Sequence, residues 1–142
     1  MIRLVVEGRP APKGSRIQAR SKTGKSYTRP ASKYEAPWTR AVKEAAMQAM
    51  RHSRDLEPPY RVELEFVLDR PVRPRCAWPT ASDLDKLERC VLDGLVQGKV
   101  LSDDRHVCAL TSSKRWRESD ERQGVIVTVS ELRKLQGLPV AA

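Results

Sequence analysis

The chain has no long apolar run and no paired-cysteine motif, and each absence excludes a class of protein. No apolar stretch approaches the roughly 20 residues that a membrane-spanning helix needs, and segment 1–7 is too short and too early charged for a secretory signal. The three cysteines are odd in number and form no C-x-x-C pair, so they are expected to be reduced, mostly buried thiols: Cys76, Cys90 and Cys108. The sequence therefore predicts a soluble, cytoplasmic protein without a disulfide framework or membrane partner.

Acidic residues are also absent from segment 9–33. The 142-residue chain has 27 Lys and Arg against 18 Asp and Glu, a net charge of +9 that favours a polyanionic partner. Prolines and glycines in segment 9–33 predict a loop, and segment 70–75 is a second basic loop. We expect these loops to contact DNA phosphates through Arg9, Lys13, Arg16, Arg20, Lys22, Lys25, Arg29, Lys33, Arg73 and Arg75. Charge alone is equally consistent with solvated loops that have no specific partner.

Length and hydrophobic pattern predict one α/β (α+β) domain over residues 1–134, followed by a flexible tail at 135–142. Strands are expected at 2–7, 61–68, 107–116 and 124–129, where apolar and β-branched residues cluster or alternate. A helix is expected to open near Pro37 and to continue to Met50, with Trp38 on its core-facing side. A second helix is expected after Asp83, because apolar residues recur there at helical spacing: Leu84, Leu87, Val91 and Leu95.

Five aspartates lie close together in this basic chain: Asp83, Asp85, Asp93, Asp103 and Asp104. Magnesium prefers oxygen ligands and usually combines one or two protein carboxylates with waters and substrate phosphate. Acidic residues within a cationic protein therefore suggest metal-assisted phosphodiester chemistry on nucleic acid. Asp83 and Asp85 would converge only if the helix starts between them or just after them.

Structural roles for the same acids are also open. Ser82 and Asp85 have the spacing of a capping box, and Asp85 with Arg89 could form an ordinary surface pair. Asp103 and Asp104, taken alone, fit a turn that precedes a strand. For Asp93 a structural role is as well supported as a catalytic one. Capping accounts for at most one carboxylate of Asp83, Asp85 and Asp104.

The ordered motifs of the chain resemble the RusA family of Holliday junction resolvases, in its phage and prophage branch. The resemblance rests on Asp83-Leu84-Asp85-Lys86-Leu87, Leu92-Asp93-Gly94-Leu95, Asp103-Asp104 and Lys114, together with Gly8-Arg9-Pro10-Ala11-Pro12-Lys13-Gly14. It spans about residues 2–130, and the ordered set is much more specific than any single motif.

This resemblance implies a homodimer with a small mixed, largely antiparallel sheet and two main helices. It also implies that Asp83, Asp85 and Asp104 are catalytic ligands of Mg²⁺, with Mn²⁺ as a possible substitute, and that Lys114 is a catalytic basic residue. The chain departs from the family prototype in carrying Lys86 in place of Asn and Arg89 in place of a catalytic Lys. Since Arg and Lys differ in shape and hydration, either residue could take that lysine's role.

The function implied is a metal-dependent endodeoxyribonuclease that resolves four-way DNA junctions by paired symmetric nicks, without a small-molecule cofactor. The setting implied is bacterial, with a cellular or a phage gene as its source. Two other functions fit the residues: a DNA-binding protein without catalytic activity, and a structural or assembly protein whose acids form caps and ion pairs.

Overall fold

The computed structural model describes residues 1–14, 16–30 and 32–140, and at 16, 17, 29 and 30 it describes the backbone alone. The main sheet contains four strands in the order β1 (Ile2–Glu7), β6 (Gly124–Glu131), β4 (Tyr60–Leu68) and β5 (Val107–Trp116). β6 pairs antiparallel with both β1 and β4, whereas β5 runs parallel to β4. The expected mixed, largely antiparallel sheet is confirmed, and the four strands predicted from the sequence form it.

Two long helices pack against this sheet, α1 (Glu35–Met50) and α2 (Leu84–Gln97). α1 starts two residues before the expected opening at Pro37, and Trp38 is in the core as predicted, with 2% of its surface exposed. The largest fully buried side chains of this core are Trp38, Tyr60, Phe66, Leu87, Leu95 and Leu101. Among the described helices, none is both long and apolar enough to span a membrane.

The alternation predicted for β4 is present, with one difference. Val62, Leu64 and Phe66 are buried against the helices, and Arg61 and Glu63 are exposed on the opposite face. Val67, which the alternation also places on that opposite face, is buried as well. Val67 lines a cavity together with the turn residues Asp120 and Arg122, so contacts from a turn distant in sequence contribute to its burial, and strand alternation does not record such contacts.

The two helices approach closely because glycines lie in α2 and at its C-cap, where these meet α1. A Cβ atom added to Gly94 would lie 2.6 Å from both Cβ and Cγ1 of Val42, and one added to Gly98 would lie 2.4 Å from Cβ of Ala46. Side chains do not reach such distances without a shift of the structure. The glycine of the Leu92–Leu95 motif is therefore explained by helix packing.

Segment 9–33, predicted to be a loop, instead contains a β-hairpin. Strands β2 (Arg16–Arg20) and β3 (Ser26–Pro30) pair antiparallel as a separate two-stranded sheet. Its turn is closed by a hydrogen bond from Ser21 N to Lys25 O (2.9 Å), and Gly24 supplies a φ of +85° that other residues rarely adopt. The loop prediction relied on prolines and glycines, which mark turns but do not prevent a short backbone ladder between them.

Candidate active site

Asp83 and Asp85 flank Leu84, the first residue of α2. Asp83 is the N-cap, with an extended backbone (φ −71°, ψ 136°), and Asp85 lies in the first helical turn. The helix therefore starts between them, which was the condition for the two carboxylates to converge. Its apolar side turns inward at Leu87, Val91 and Leu95, so the acidic side of the first turn faces solvent.

The capping alternative for these residues is wrong. Ser82 is not the N-cap, and the Asp83 side chain forms no capping hydrogen bond. Within the described residues, no ion pair or hydrogen bond joins Asp85 to Arg89. The Asp83 side chain is 71% exposed, and its contact is an ion pair in which Oδ2 lies 3.7 Å from Lys86 Nζ. Neither carboxylate is therefore occupied by a capping hydrogen bond at the start of α2.

Two lysines bring positive charge to the start of α2. Lys114 on β5 donates a hydrogen bond from Nζ to the carbonyl oxygen of Ser82, at 2.6 Å. Lys86 approaches Asp83, and its own carbonyl oxygen accepts a hydrogen bond from Lys13 N at 3.0 Å. The structure thus brings Lys114 and Lys86 to the residues beside Asp83, while Arg89 is exposed one turn farther along the helix.

Asp104 lies at the other end of α2. Its loop is tied to the first residue of β4, because the Tyr60 hydroxyl donates to Ser102 Oγ (3.1 Å) and accepts from Ser102 N (3.2 Å). Ser82, in contrast, is tied to Lys114, which pairs with Phe66 near the last residue of β4. The length of strand between these two positions is on the order of 20 Å.

The three carboxylates are consequently not assembled within one chain. Across residues 1–14, 16–30 and 32–140, no group of three or more acidic, His or Cys side chains is placed to hold a metal ion. Asp103, beside Asp104, has a structural function. Its Oδ1 accepts a hydrogen bond from Arg105 N at 3.0 Å, capping the short 3₁₀ turn Asp104–His106, and this bond lowers the pKa of the Asp103 carboxyl.

Asp93 also has a structural partner, Lys13. Lys13 Nζ lies 2.5 Å from Asp93 Oδ2, and this hydrogen bond raises the pKa of the lysine. The pair joins the residues preceding the hairpin to the exposed face of α2. Lys13, predicted to contact DNA, therefore already neutralises a carboxylate of its own chain.

The remaining predicted DNA contacts occupy several surfaces. Arg9 stacks over the Tyr34 ring, 3.8 Å from its centroid, and Lys33 lies over the same ring at 5.2 Å, so the two ends of the basic segment meet there. The side chains of Arg16 and Arg29 lie outside the described residues. The other predicted contacts are exposed on the hairpin and on the loop before α2: Arg20, Lys22, Lys25, Arg73 and Arg75.

Sequence reasoning missed a cavity next to the start of α2. Its volume is about 280 Å³, and its walls include Arg9, Tyr34, Ser82, Trp116 and Gln123. These residues come from distant parts of the chain and share no local spacing, so no motif could have grouped them.

Comparison with protein-family models matches residues 7–130 to the family described as endodeoxyribonuclease RusA. The chain belongs to the RusA family. A comparison with curated proteins found no match. The family match includes both helices, the whole of β2 to β5, all of β6 except Glu131, only the last residue of β1, and every aspartate discussed above. Membership supports a nuclease that acts on branched DNA and agrees with the resemblance in the sequence.

Proposed function

We propose that this chain is a metal-dependent endodeoxyribonuclease that resolves four-way DNA junctions by paired nicks. The observation that carries the proposal is the RusA family match over residues 7–130. The exposed aspartates at the start of α2, with lysines beside them, support it. A surface of this kind combines metal-binding oxygens with cations that can hold a phosphate.

Asp83 and Asp85 have the donor chemistry for Mg²⁺ or Mn²⁺. Both are exposed carboxylates, and one or two carboxylates with waters and a substrate phosphate are a common Mg²⁺ ligand set. When bound, the ion supplies positive charge at the scissile phosphate and a more acidic water as nucleophile. The start of α2 adds unpaired backbone N–H groups that favour a phosphate oxygen.

The neighbouring lysines place charge where it grows during phosphate hydrolysis. Lys114 is fixed by its bond to the Ser82 carbonyl, so its ammonium is preorganised next to Asp83. Lys86 is held by Asp83 itself, which favours Lys86 over Arg89 as the residue nearest the scissile phosphate. Arg89, exposed on the next turn, is placed to contact a neighbouring phosphate.

The basic hairpin supplies the grip on the DNA. Arg20, Lys22 and Lys25 are exposed near the hairpin turn, and segment 9–33 contains no acidic residue that would neutralise them locally. Such side chains position the phosphate backbone without reading sequence. Arg73 and Arg75, exposed in the loop leading to α2, would contact further phosphates.

A twofold dimer would complete the site. Asp104 is at the opposite end of α2 from Asp83, so it cannot join Asp83 and Asp85 in its own chain. In a symmetric dimer, one copy can present Asp104 to the α2 start of the other, and the symmetry repeats this for the second site. Two equivalent sites are also what paired nicks on opposing strands require.

A labelled four-way junction incubated with and without Mg²⁺ tests the activity. We expect metal-dependent paired nicks by the wild type, loss of cleavage with retained binding in Asp85→Asn, and normal cleavage in the control Asp55→Asn, an exposed aspartate in another loop. Junction binding without cleavage by the wild type would instead indicate a non-catalytic DNA-binding protein. No preference for junctions over duplex would favour a structural protein.

Mixing two inactive variants tests the shared site. If Asp104 acts in the partner's site, a mixed dimer of Asp85→Asn and Asp104→Asn contains one intact site, and the mixture should nick one strand. If all three aspartates acted within one chain, both sites of the mixed dimer would be damaged and the mixture would stay inactive. Each variant alone is the control.

A further inference from the structure

We propose that the cavity beside the start of α2 binds one unstacked nucleobase of the DNA junction, so that the protein senses the base next to the cleaved phosphate. The inference rests on the proposed function, because the occupant is part of the junction substrate. The position of the cavity, the composition of its walls and the polar groups that it leaves available support this assignment.

The cavity is next to the candidate active site. Ser82 forms part of its wall, precedes Asp83 in the chain and accepts the hydrogen bond from Lys114 through its carbonyl oxygen. A nucleotide whose phosphate lies at Asp83 and Asp85 would therefore carry its base to within reach of the cavity. The volume of about 280 Å³ is at the small end of ligand pockets and suits a single planar base.

The walls offer flat surfaces for stacking. Trp116 is held in place because its indole N–H donates to the Cys76 carbonyl oxygen at 3.2 Å. On another side, Tyr34 lies beneath the Arg9 guanidinium, with the cation 3.8 Å from the ring centroid. Aromatic rings and arginine planes are the groups on which unpaired bases stack in single-strand-binding proteins. Prolines and a leucine form much of the remaining wall: Pro10, Pro12, Pro79 and Leu68.

The side-chain amide of Gln123, at the cavity, is available to read a base edge. Gln123 is fixed through its main chain, since its carbonyl oxygen accepts a hydrogen bond from Gly8 N at 3.1 Å. Its side-chain amide forms no hydrogen bond with any other described residue. A free amide offers both donors and an acceptor, and such groups pair with the edges of bases. Asp69 is less available because it accepts a hydrogen bond from Arg117 at 2.6 Å.

The test combines removal of a base with substitution of a side chain, as in a double-mutant cycle. The quantity measured is the affinity of the protein for the junction in metal-free buffer. A set of junctions is prepared, and each junction has one abasic site at a different position flanking the crossover. At one position, removing the base should weaken wild-type binding about tenfold, the magnitude of stacking one base on one aromatic ring. Trp116→Leu should lose the same factor on the intact junction and nothing more on the abasic one. Tyr34→Leu repeats the cycle from the other wall and replaces Trp116→Leu if that variant does not fold.

Controls separate this stacking from general effects. Trp78→Leu changes a tryptophan that is 61% exposed and does not line the cavity, so it should affect intact and abasic junctions equally. Gln123→Ala should reduce the difference in affinity between the four bases at the sensitive position, whereas Gln48→Ala, on the exposed side of α1, should not.

The two failures can be told apart. If wild type and both cavity variants bind every abasic junction with the same affinity as the intact junction, the cavity holds no base. Metal-dependent cleavage would then still support the proposed function. If the protein does not bind junctions at all, both the proposed function and this inference are overturned.

Discussion

Replacing Gly94 with alanine sets two opposing effects of known size against each other. In an isolated helix, Gly→Ala stabilises by about 1 kcal/mol. In this structure the new methyl group would lie 2.6 Å from two carbons of Val42, a side chain with no exposed surface. A buried β-branched residue has little rotamer freedom, so the helices must separate, and overpacking of this kind costs about 1–3 kcal/mol.

The overpacking cost should lie in the upper part of its range, because the distances from the new methyl group to Cβ and Cγ1 of Val42 are both far shorter than van der Waals contact. The expected net change is a loss of about 1–2 kcal/mol. For a chain of this length, that lowers the thermal midpoint by roughly 3–8 °C. Thermal unfolding followed by circular dichroism measures it, and Gly14→Ala is the control, because a Cβ there meets nothing within 4 Å.

A higher midpoint for Gly94→Ala would refute this reasoning, since it would show that helix propensity outweighs the clash with α1. A second measurement identifies the clash itself. Val42→Ala removes Cγ1, one of the two clashing carbons, so the double variant should be more stable than the sum of the single effects by at least about 0.5 kcal/mol. Strict additivity would assign the loss of stability to another cause.

The remaining predictions concern the hairpin, an ion pair and the cysteines. Replacing Arg20, Lys22 and Lys25 with alanine should make the plot of log affinity for the junction against log salt concentration less steep, by about 0.9 for each phosphate that the variant no longer neutralises. An unchanged slope would show that these residues are solvated and contact no phosphate. Arg115 lowers the pKa of Glu121 to about 2, so the stability that Glu121 adds should be complete above its ordinary pKa near 4.5 and disappear as pH falls towards 2. The free energies of unfolding of wild type and Glu121→Gln, measured with urea, should therefore converge as the pH falls. A difference between them that stays constant from pH 6 to pH 2 would contradict the assignment. Only Cys90 of the three cysteines is buried, while Cys76 is half-buried and Cys108 is exposed, so the expectation that most of them are buried is wrong. Burial raises the pKa of Cys90 to about 11, so in the variant Cys76→Ser/Cys108→Ser a thiol reagent at pH 8 should modify Cys90 only after unfolding, and fast modification of the folded variant would contradict this.

Local patterns were sufficient for much of the fold. The alternation of β4 and the apolar stripe of α2 depend on residues within a few positions of one another, and burial on one side leaves a direct trace in such spacing. The hairpin of segment 9–33 left no such trace, because none of the described side chains on its two strands is buried. The ordered aspartate motifs predicted the family, which the match over residues 7–130 confirmed.

Only the tertiary structure decided which of those residues meet. Lys13 contacts Asp93 across 80 positions of sequence, and Lys114 reaches Ser82 from another strand. The same packing separates Asp104 from Asp83, because α2 and the loop after it carry the chain to the far end of β4 before β5 returns. Periodicity records whether a side chain faces the core. The distance between two side chains far apart in sequence depends on how whole elements pack, and no local pattern contains that information.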